Sequence, residues 1–480
     1  MADLTLTLDY RSETPLYEQL SRFVIGEMRA GRLKEGEKLP SKRALCEHLR
    51  ISRSTVEAAY DILAAEGYVE ARARSGYYVR AALMLEPATP ERARETKPSG
   101  RIDRLKMPAP YAPPQSPAPA RLYDFSTGDV DTAAFPYASW ARINREVVQT
   151  MPELLRLGDA QGDPELRLAL SDFLRQYRGV KSEPEQIVLG AGGEYLLDLL
   201  IRIMDPGASF ALEDPGYGGI YRAVRAAGRA FHAIPLDGEG LDAAALAGSG
   251  ARFAFVTPSH QFPTGLTMPA GRRAQLIRWA QAAPGRYIIE DDYDSEFRHT
   301  TRPIPAMQGV DGERVVYLGT FSRTIAPSIR ASYMVLPGPL LKAYRERLGR
   351  SACTLSRFEQ QTLRFFIERG LYARHLRRVG GLYRRRRNLL IDLFSPYPAV
   401  RLSGDDAGLH FLMTVEALPE RELAARAAAA GVKVRGLSEY AHQAQVPAST
   451  LVIGYAGLSE EDIRRASALL IEAWGLVPSS

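Results

Sequence analysis

Three consecutive acids, Glu290, Asp291 and Asp292, close the apolar run YII and open an acidic loop that includes Tyr293. A strand running into such a loop fixes its carboxylates in space. Asp291 can accept a hydrogen bond from a protonated ring nitrogen, and Tyr293, two residues on, can reach a ring hydroxyl. A metal site is the competing use for so many carboxylates. No histidine pair accompanies them and the seven histidines show no HExxH-type spacing, so no residue is assigned to a metal. The segment GAGGEYLLDLL follows a strand and opens a helix, so free amides near Gly193 and Glu194 can face a phosphate. EDPGYGG and TPSHQFPTG are turn-rich loops just beyond strand ends, where ligands bind in open α/β sheets. Tyr217 in the first of them can stack on a flat ring. A phosphate cradle, an acid and a hydroxyl donor are three of the four things an aldehyde cofactor for amino-group chemistry needs; the fourth is a lysine. Each of these residues alone is as readily structural.

The elements that must position them alternate. Apolar runs at 186–189, 209–213, 253–257, 287–290, 315–318 and 332–336 read as strands between helical patterns, which implies an α/β domain with a largely parallel sheet. From about Leu340, long helices and then a mixed α/β segment suggest a smaller second domain. Residues 81–120 carry nine of the 32 prolines without sustained periodicity and read as a linker, able to span on the order of 100 Å if extended. Before it, Leu16, Leu20, Val24 and Met28 lie at four-residue spacing after Pro15, which marks one amphipathic helix. Ser41 is expected to cap a short helix through Leu49, and Ser52 a second one ending at Gly67, with a tight connection near Arg50. YVEARARSGYYV reads as two strands about a turn at Ser75–Gly76. Three helices and a hairpin make a winged helix-turn-helix.

At 480 residues, 45% hydrophobic and 25% charged, the chain is an ordinary globular one of several domains. No apolar run reaches about 18 residues and the start lacks a signal peptide's pattern, so a cytoplasmic protein is expected. Cys46 and Cys353 show no metal spacing and are expected to be small buried thiols. The arginines of ARHLRRVGGLYRRRRNLL are expected on a solvated or dimer-facing surface. A net charge of +6 permits a polyanionic partner without requiring one.

DNA readout needs donors on the first turns of a helix that enters the major groove, and cations that neutralise phosphates. Arg53, Ser54 and Thr55 open the candidate recognition helix, Ser41, Lys42 and Arg43 the helix before it, and Arg72 and Arg74 lie on the wing. Residues 32–80 hold ten Lys/Arg against seven Asp/Glu, a modest excess. The segment also resembles the GntR-type winged helix: Pro40, Ser41 and Arg43 match its first motif, Ser52, Arg53, Thr55 and Val56 its recognition helix, and Ser75 with Gly76 its wing tip. That resemblance implies binding to a double-stranded operator.

SHQFPTG, EDDYDSEF and GTFSRTIAPSIR, in this order after such a domain, resemble the MocR family, GntR-type regulators fused to an aminotransferase domain of fold type I. The resemblance covers residues 11–80 and 122–475. It implies a winged helix at 11–80, the linker at 81–120, and at 121–480 a large, mostly parallel α/β/α domain with a smaller α/β domain from about 340. It also implies a head-to-tail homodimer, an amino-compound effector and binding of pyridoxal phosphate. Carried over by position, Asp291 pairs with the pyridine nitrogen, Tyr293 with the ring hydroxyl, and Ser322 and Arg330 with the phosphate. Tyr217 covers the ring, and His260 or Gln261 lies beside it.

This chain breaks the pattern where chemistry depends on it. The family's lysine should follow Ser322, and Arg323 stands there. A guanidinium stays protonated at any accessible pH, so no Schiff base can form on it and lysine-based transamination is lost. Leu157 replaces a tyrosine that reaches a neighbour's phosphate, Glu194 replaces a glutamine at the phosphate helix, and LVIGYAGL lacks the arginine that clamps a substrate carboxylate. Three readings remain: non-covalent binding of pyridoxal phosphate, pyridoxamine phosphate or a preformed adduct; another anion or a dimerisation scaffold; or an aminotransferase with a substitute base.

Overall fold

The computed structural model describes residues 15–34, 36–49, 51–65, 68–72, 75–79, 123–299, 304–416 and 418–479. Two units are distinguished, residues 1–94 with 268–284 and residues 95–267 with 285–480. The expected linker, Gly67, Arg50 and Arg74 lie outside the described residues. No helix among the described residues is long and apolar enough to cross a membrane.

In the first unit, helices α1 (Leu16–Arg29), α2 (Lys42–Leu49) and α3 (Arg53–Ala65) precede strands β1 (Val69–Arg72) and β2 (Gly76–Val79). The four-residue spacing in α1 buries Leu20, Val24 and Met28 against Leu45, Val56, Tyr60 and Leu63. Both serine caps form: Ser41 Oγ accepts the Ala44 amide and Ser52 Oγ the Thr55 amide, each at 3.1 Å. Pro15 stands one position earlier than expected, just outside α1. The hairpin pairs Val69 with Val79 and Arg72 with Gly76, whose φ of 111° suits glycine at the turn.

In the second unit, eight strands among the described residues form one sheet. Their order is Ile187–Gly190, Ser332–Val335, Val315–Thr320, Tyr287–Asp292, Phe253–Val256, Phe210–Asp214, Phe231–Asp237 and Gly240–Leu241. Ser332–Val335 runs antiparallel to both neighbours and Gly240–Leu241 antiparallel to its one; the other pairings are parallel. The inner strands begin as apolar runs because both faces are covered, and Phe210–Asp214 and Tyr287–Asp292 turn acidic at their carboxyl ends. Val188, Leu212, Phe255 and Val316 face one core with helix Gly193–Ile203, and Ile187, Leu189, Tyr317 and Val335 face another with helices Pro164–Arg178 and Arg357–Glu368.

A third core lies between the antiparallel sheet Val400–Ser403, His410–Val415, Thr450–Gly454, Arg435–Gly436 and helices Leu371–Phe394, Glu420–Ala429 and Glu460–Trp474. Tyr123 and Phe125 join this core, and Tyr123–Asp124 pairs in parallel with Val432–Lys433. The first described residues of this unit are thereby paired with a strand of the small domain. The arginine-rich helix presents Arg374, Arg377, Arg378, Arg384 and Arg385 exposed, in keeping with a solvated surface, and Arg386 departs from that expectation. Arg386 is buried against Asp131 and the Ala456 carbonyl, Arg387 pairs with Asp405 and Arg385 with Glu460, so these cations tie the helix into its own unit. Cys46 and Cys353 are free and half-buried at the edges of two cores.

Candidate functional site

Strand alternation decides which of the three consecutive acids faces a ligand. Glu290 and Asp292 point to one side of their strand, where Glu290 accepts the amides of Met307 (2.9 Å) and Gln308 (3.0 Å). Asp292 meets Arg178 Nε at 2.7 Å and accepts the Tyr317 hydroxyl at 2.6 Å. Asp291 points to the other side and lines a cavity of about 640 Å³ at the carboxyl ends of the parallel strands. Asp294 is held in the interior by His260 Nδ1 at 2.9 Å and the Leu409 amide at 3.3 Å. The acidic run thus presents one carboxyl to the cavity.

Burial raises that carboxyl to about 7; Asp292 and Asp294 add to the rise, Arg323 opposes it, and Glu213 adds again. The folded chain therefore favours neutral Asp291. The stability this contributes is complete below the ordinary value of 3.8 and is lost as pH climbs through about 7. Asp291→Asn is expected to melt like the parent near pH 4 and to become the more stable of the two by pH 8, by up to about 4 kcal/mol. Parallel melting profiles would contradict this. A cation placed against Asp291 would reverse the preference by supplying the missing counter-charge.

One end of the cavity is built from backbone. Helix Gly193–Ile203 starts at the cavity wall after Gly192 (φ 99°), with no side chain capping its first amides. Arg330, in the left-handed region at φ 50° although not a glycine, lays its guanidinium against Gly192. A Cβ at Gly192 would fall 2.3 Å from Arg330 Nη2, so that residue must be glycine for both its conformation and its neighbour. Ser322 lines the same cavity. Glu194 is less hostile to a phosphate than its charge suggests, because Arg222 meets it at 3.0 Å.

Tyr217 lines the cavity edge-on to Phe262 (centroids 6.2 Å apart, 86°), and burial pushes its hydroxyl up to about 12. Tyr293 also lines it, but its hydroxyl donates to the His260 carbonyl at 2.9 Å and lies 3.1 Å from His260 Nδ1. Arg323 is half-buried in the wall and donates to the Thr127 carbonyl. Gln261 corrects the expectation that it lies beside a ring: it is not among the lining residues. Its amide nitrogen donates to the Phe262 and Pro215 carbonyls, at 2.7 and 3.1 Å, and its oxygen accepts from Thr264. His260 is likewise buried behind the wall. The lining residues that sequence reasoning missed include Asp124, Thr127, Lys433 and Arg435. Their only signal was the pairing of two segments about 300 residues apart, which no local pattern records.

The first unit holds a separate surface. Arg53 opens α3 with its side chain 80% exposed and a single carboxylate partner among its ion pairs, Glu57 at 3.1 Å. Lys42 reaches the same carboxylate at 3.6 Å and lies over the Tyr77 ring; Arg72 lies over Tyr78. Arg43 is exposed beside Glu47. Exposed pairs of this kind are worth about 1 kcal/mol or less, so phosphates can displace the carboxylates. The hydroxyls of Ser54 and Thr55 turn back to Ser52, at 2.8 and 2.7 Å, and that of Ser41 holds its cap. Among the described expected contacts, Arg43, Arg53 and Arg72 are exposed, as are Ser41 and Ser54, while Lys42 and Thr55 are half-buried. Lys38, over Tyr78, is a further cation that was missed.

Residues 16–79 match the model for bacterial regulatory proteins of the gntR family, and residues 120–470 that for aminotransferase class I and II. The uncharacterized HTH-type transcriptional regulator YdeL of Bacillus subtilis is 38% identical over 478 residues, 98% of this chain and 99% of its own length. The probable rhizopine catabolism regulatory protein MocR of Rhizobium meliloti is 34% identical over 98% of each chain. An archaeal alanine:glyoxylate aminotransferase shares the fold, with a TM-score of 0.68 and 23% identity over 74% of this chain and 91% of its own. A winged helix that displays cations, an aminotransferase fold around a polar cavity, and full-length similarity to regulators converge: the chain belongs to the MocR family of GntR-type transcriptional regulators.

Proposed function

We propose that the aminotransferase-like domain binds pyridoxal phosphate or a close relative without covalent attachment, and that occupancy of the cavity sets the affinity of the winged helices for an operator. One observation supports this reading: Arg323 lines the same cavity as Asp291, Tyr217, Ser322 and Arg330. The helix amides at Gly193, with Ser322 and Arg330, suit a phosphate; Asp291 suits a ring nitrogen; Tyr217 offers a ring face. When bound, the group supplies an aldehyde able to condense with a primary amine. Arg323 offers none, and Lys433, the lysine among the lining residues, is held in an ion pair with Asp124 at 2.8 Å. The domain is on this reading a ligand sensor and no transaminase.

A head-to-tail homodimer placing two winged helices on two half-sites completes the proposal. Leu155 and Leu157, 81% and 87% exposed, support a partner surface near the cavity-forming unit's start. The test is operator affinity with and without saturating pyridoxamine phosphate. The sensor predicts a change of about fivefold or more. An unchanged affinity with the ligand bound would leave the domain a scaffold.

A further inference from the structure

Behind the cavity wall the acidic loop meets two histidines that no local spacing brings to it. Asp294 is 1% exposed, and His260 Nδ1 lies 2.9 Å from one of its carboxyl oxygens. His410, 2% exposed, enters from the first residue of the strand His410–Val415, its ring centroid 4.5 Å from that of His260. One donor atom from each of these three side chains lies within 4.8 Å of the other two.

A hydrogen-bonded pair of Asp294 and His260 accounts for only part of this arrangement. Asp294 Oδ1 is buried with no hydrogen-bond partner among the described residues, a costly state for a carboxylate oxygen. The chain also passes the pair at a glycine: a Cβ on Gly408 would fall 2.1 Å from His260 Nδ1 and 2.4 Å from Asp294 Oδ2. A side chain there would occupy the donors' edge. The outer ring nitrogens have carbonyls to face, since His410 Nε2 lies 3.1 Å from the Pro263 oxygen and His260 Nε2 3.5 Å from that of Gly404. An imidazole that gives its Nε2 proton to a carbonyl presents a lone pair at Nδ1, as metal-ligating histidines do. Two imidazoles and a single carboxylate suit zinc, whereas magnesium and calcium require more oxygens. Zinc holds its donors at about 2 Å, so each of the three has to move by about 1 Å to share one ion.

We propose that His260, Asp294 and His410 form a zinc site. With the ion bound, the His260 proton moves from Nδ1, where it faces Asp294, to Nε2. A water or Tyr293 Oη, 3.1 Å from His260 Nδ1, completes the coordination. Tyr293 also lines the cavity, so the ion steadies one residue of the ligand wall from behind. The site does not depend on the non-covalent sensor reading, and either can fail alone.

The full chain, stripped with a chelator and dialysed, is titrated with zinc chloride by calorimetry and with cobalt chloride by visible absorption. One equivalent of zinc per chain is expected, with the cobalt band of a four-coordinate ion. Asp294→Asn and His410→Gln should each weaken zinc binding by about 100-fold or more, while melting of the metal-free variants shows that they fold. Anomalous scattering from zinc-soaked crystals of the parent locates the ion without either variant, and a peak between His260, Asp294 and His410 is expected. No stoichiometric binding, binding that survives both substitutions, or a peak at Cys46 or Cys353 instead overturns the site.

Discussion

Arg323→Lys is expected to turn a colourless complex with pyridoxal phosphate into one that absorbs in the visible range and keeps about one equivalent of cofactor after borohydride reduction. The parent should retain none. The difference is one of kind, because a guanidinium cannot lose its proton to become a nucleophile while a lysine amine can. The rest of the wall is in place for it: Asp291 and Tyr217 line the cavity, and Arg330 rests on Gly192 at the phosphate helix. The cost to the fold is small, since Arg323 is half-buried at the wall and the substitution removes its hydrogen bond to the Thr127 carbonyl without opening a core. A colourless variant would favour the scaffold reading. A coloured, reducible parent would show that another amine has taken over, with Lys433 the candidate on the wall; Lys433→Met should then abolish the colour.

The second large effect is on DNA. Arg53→Ala is expected to weaken the operator complex by about 1–3 kcal/mol, roughly 5- to 150-fold, while thermal stability changes by no more than about 0.5 kcal/mol. The side chain is exposed at the start of α3 and its ion pair with Glu57 lies at the surface, so little folding energy depends on it. Glu57→Gln should act in the opposite direction, since it releases Lys42 and Arg53 together. Its effect should shrink as salt rises, because it works through phosphate neutralisation. Unaltered operator binding by Arg53→Ala would remove this residue from the interface.

The large sheet was legible because most of its strands are buried on both faces. Runs such as FAFV and VVYLGT have no polar interruption, and their ends fall within two residues of expectation. The strand Phe231–Asp237 escaped because it lies toward the sheet's edge, where His232 and Pro235 interrupt the pattern. Asp291 was named from the acidic loop and the resemblance, and a strand's alternation is what turns it to the cavity and away from Glu290 and Asp292. Gln261 was misplaced because a turn-rich loop offers side-chain amides to its own backbone as readily as to a ligand. The caps at Ser41 and Ser52 were legible because capping is local. The Lys433–Asp124 pair spans 309 residues and depends on how the small domain folds over the start of the unit, a contact without local sequence signature.

The central claim is that the cavity between Asp291 and Arg330 holds its ligand without a covalent bond. Electron density from crystals of the full chain soaked with pyridoxal phosphate tests it most directly. The expected map shows phosphate at the Gly193 helix, the ring against Tyr217 with its nitrogen toward Asp291, and a clear break between the ligand and every side chain. An empty cavity at saturating ligand, or density continuous with a lysine, would contradict it.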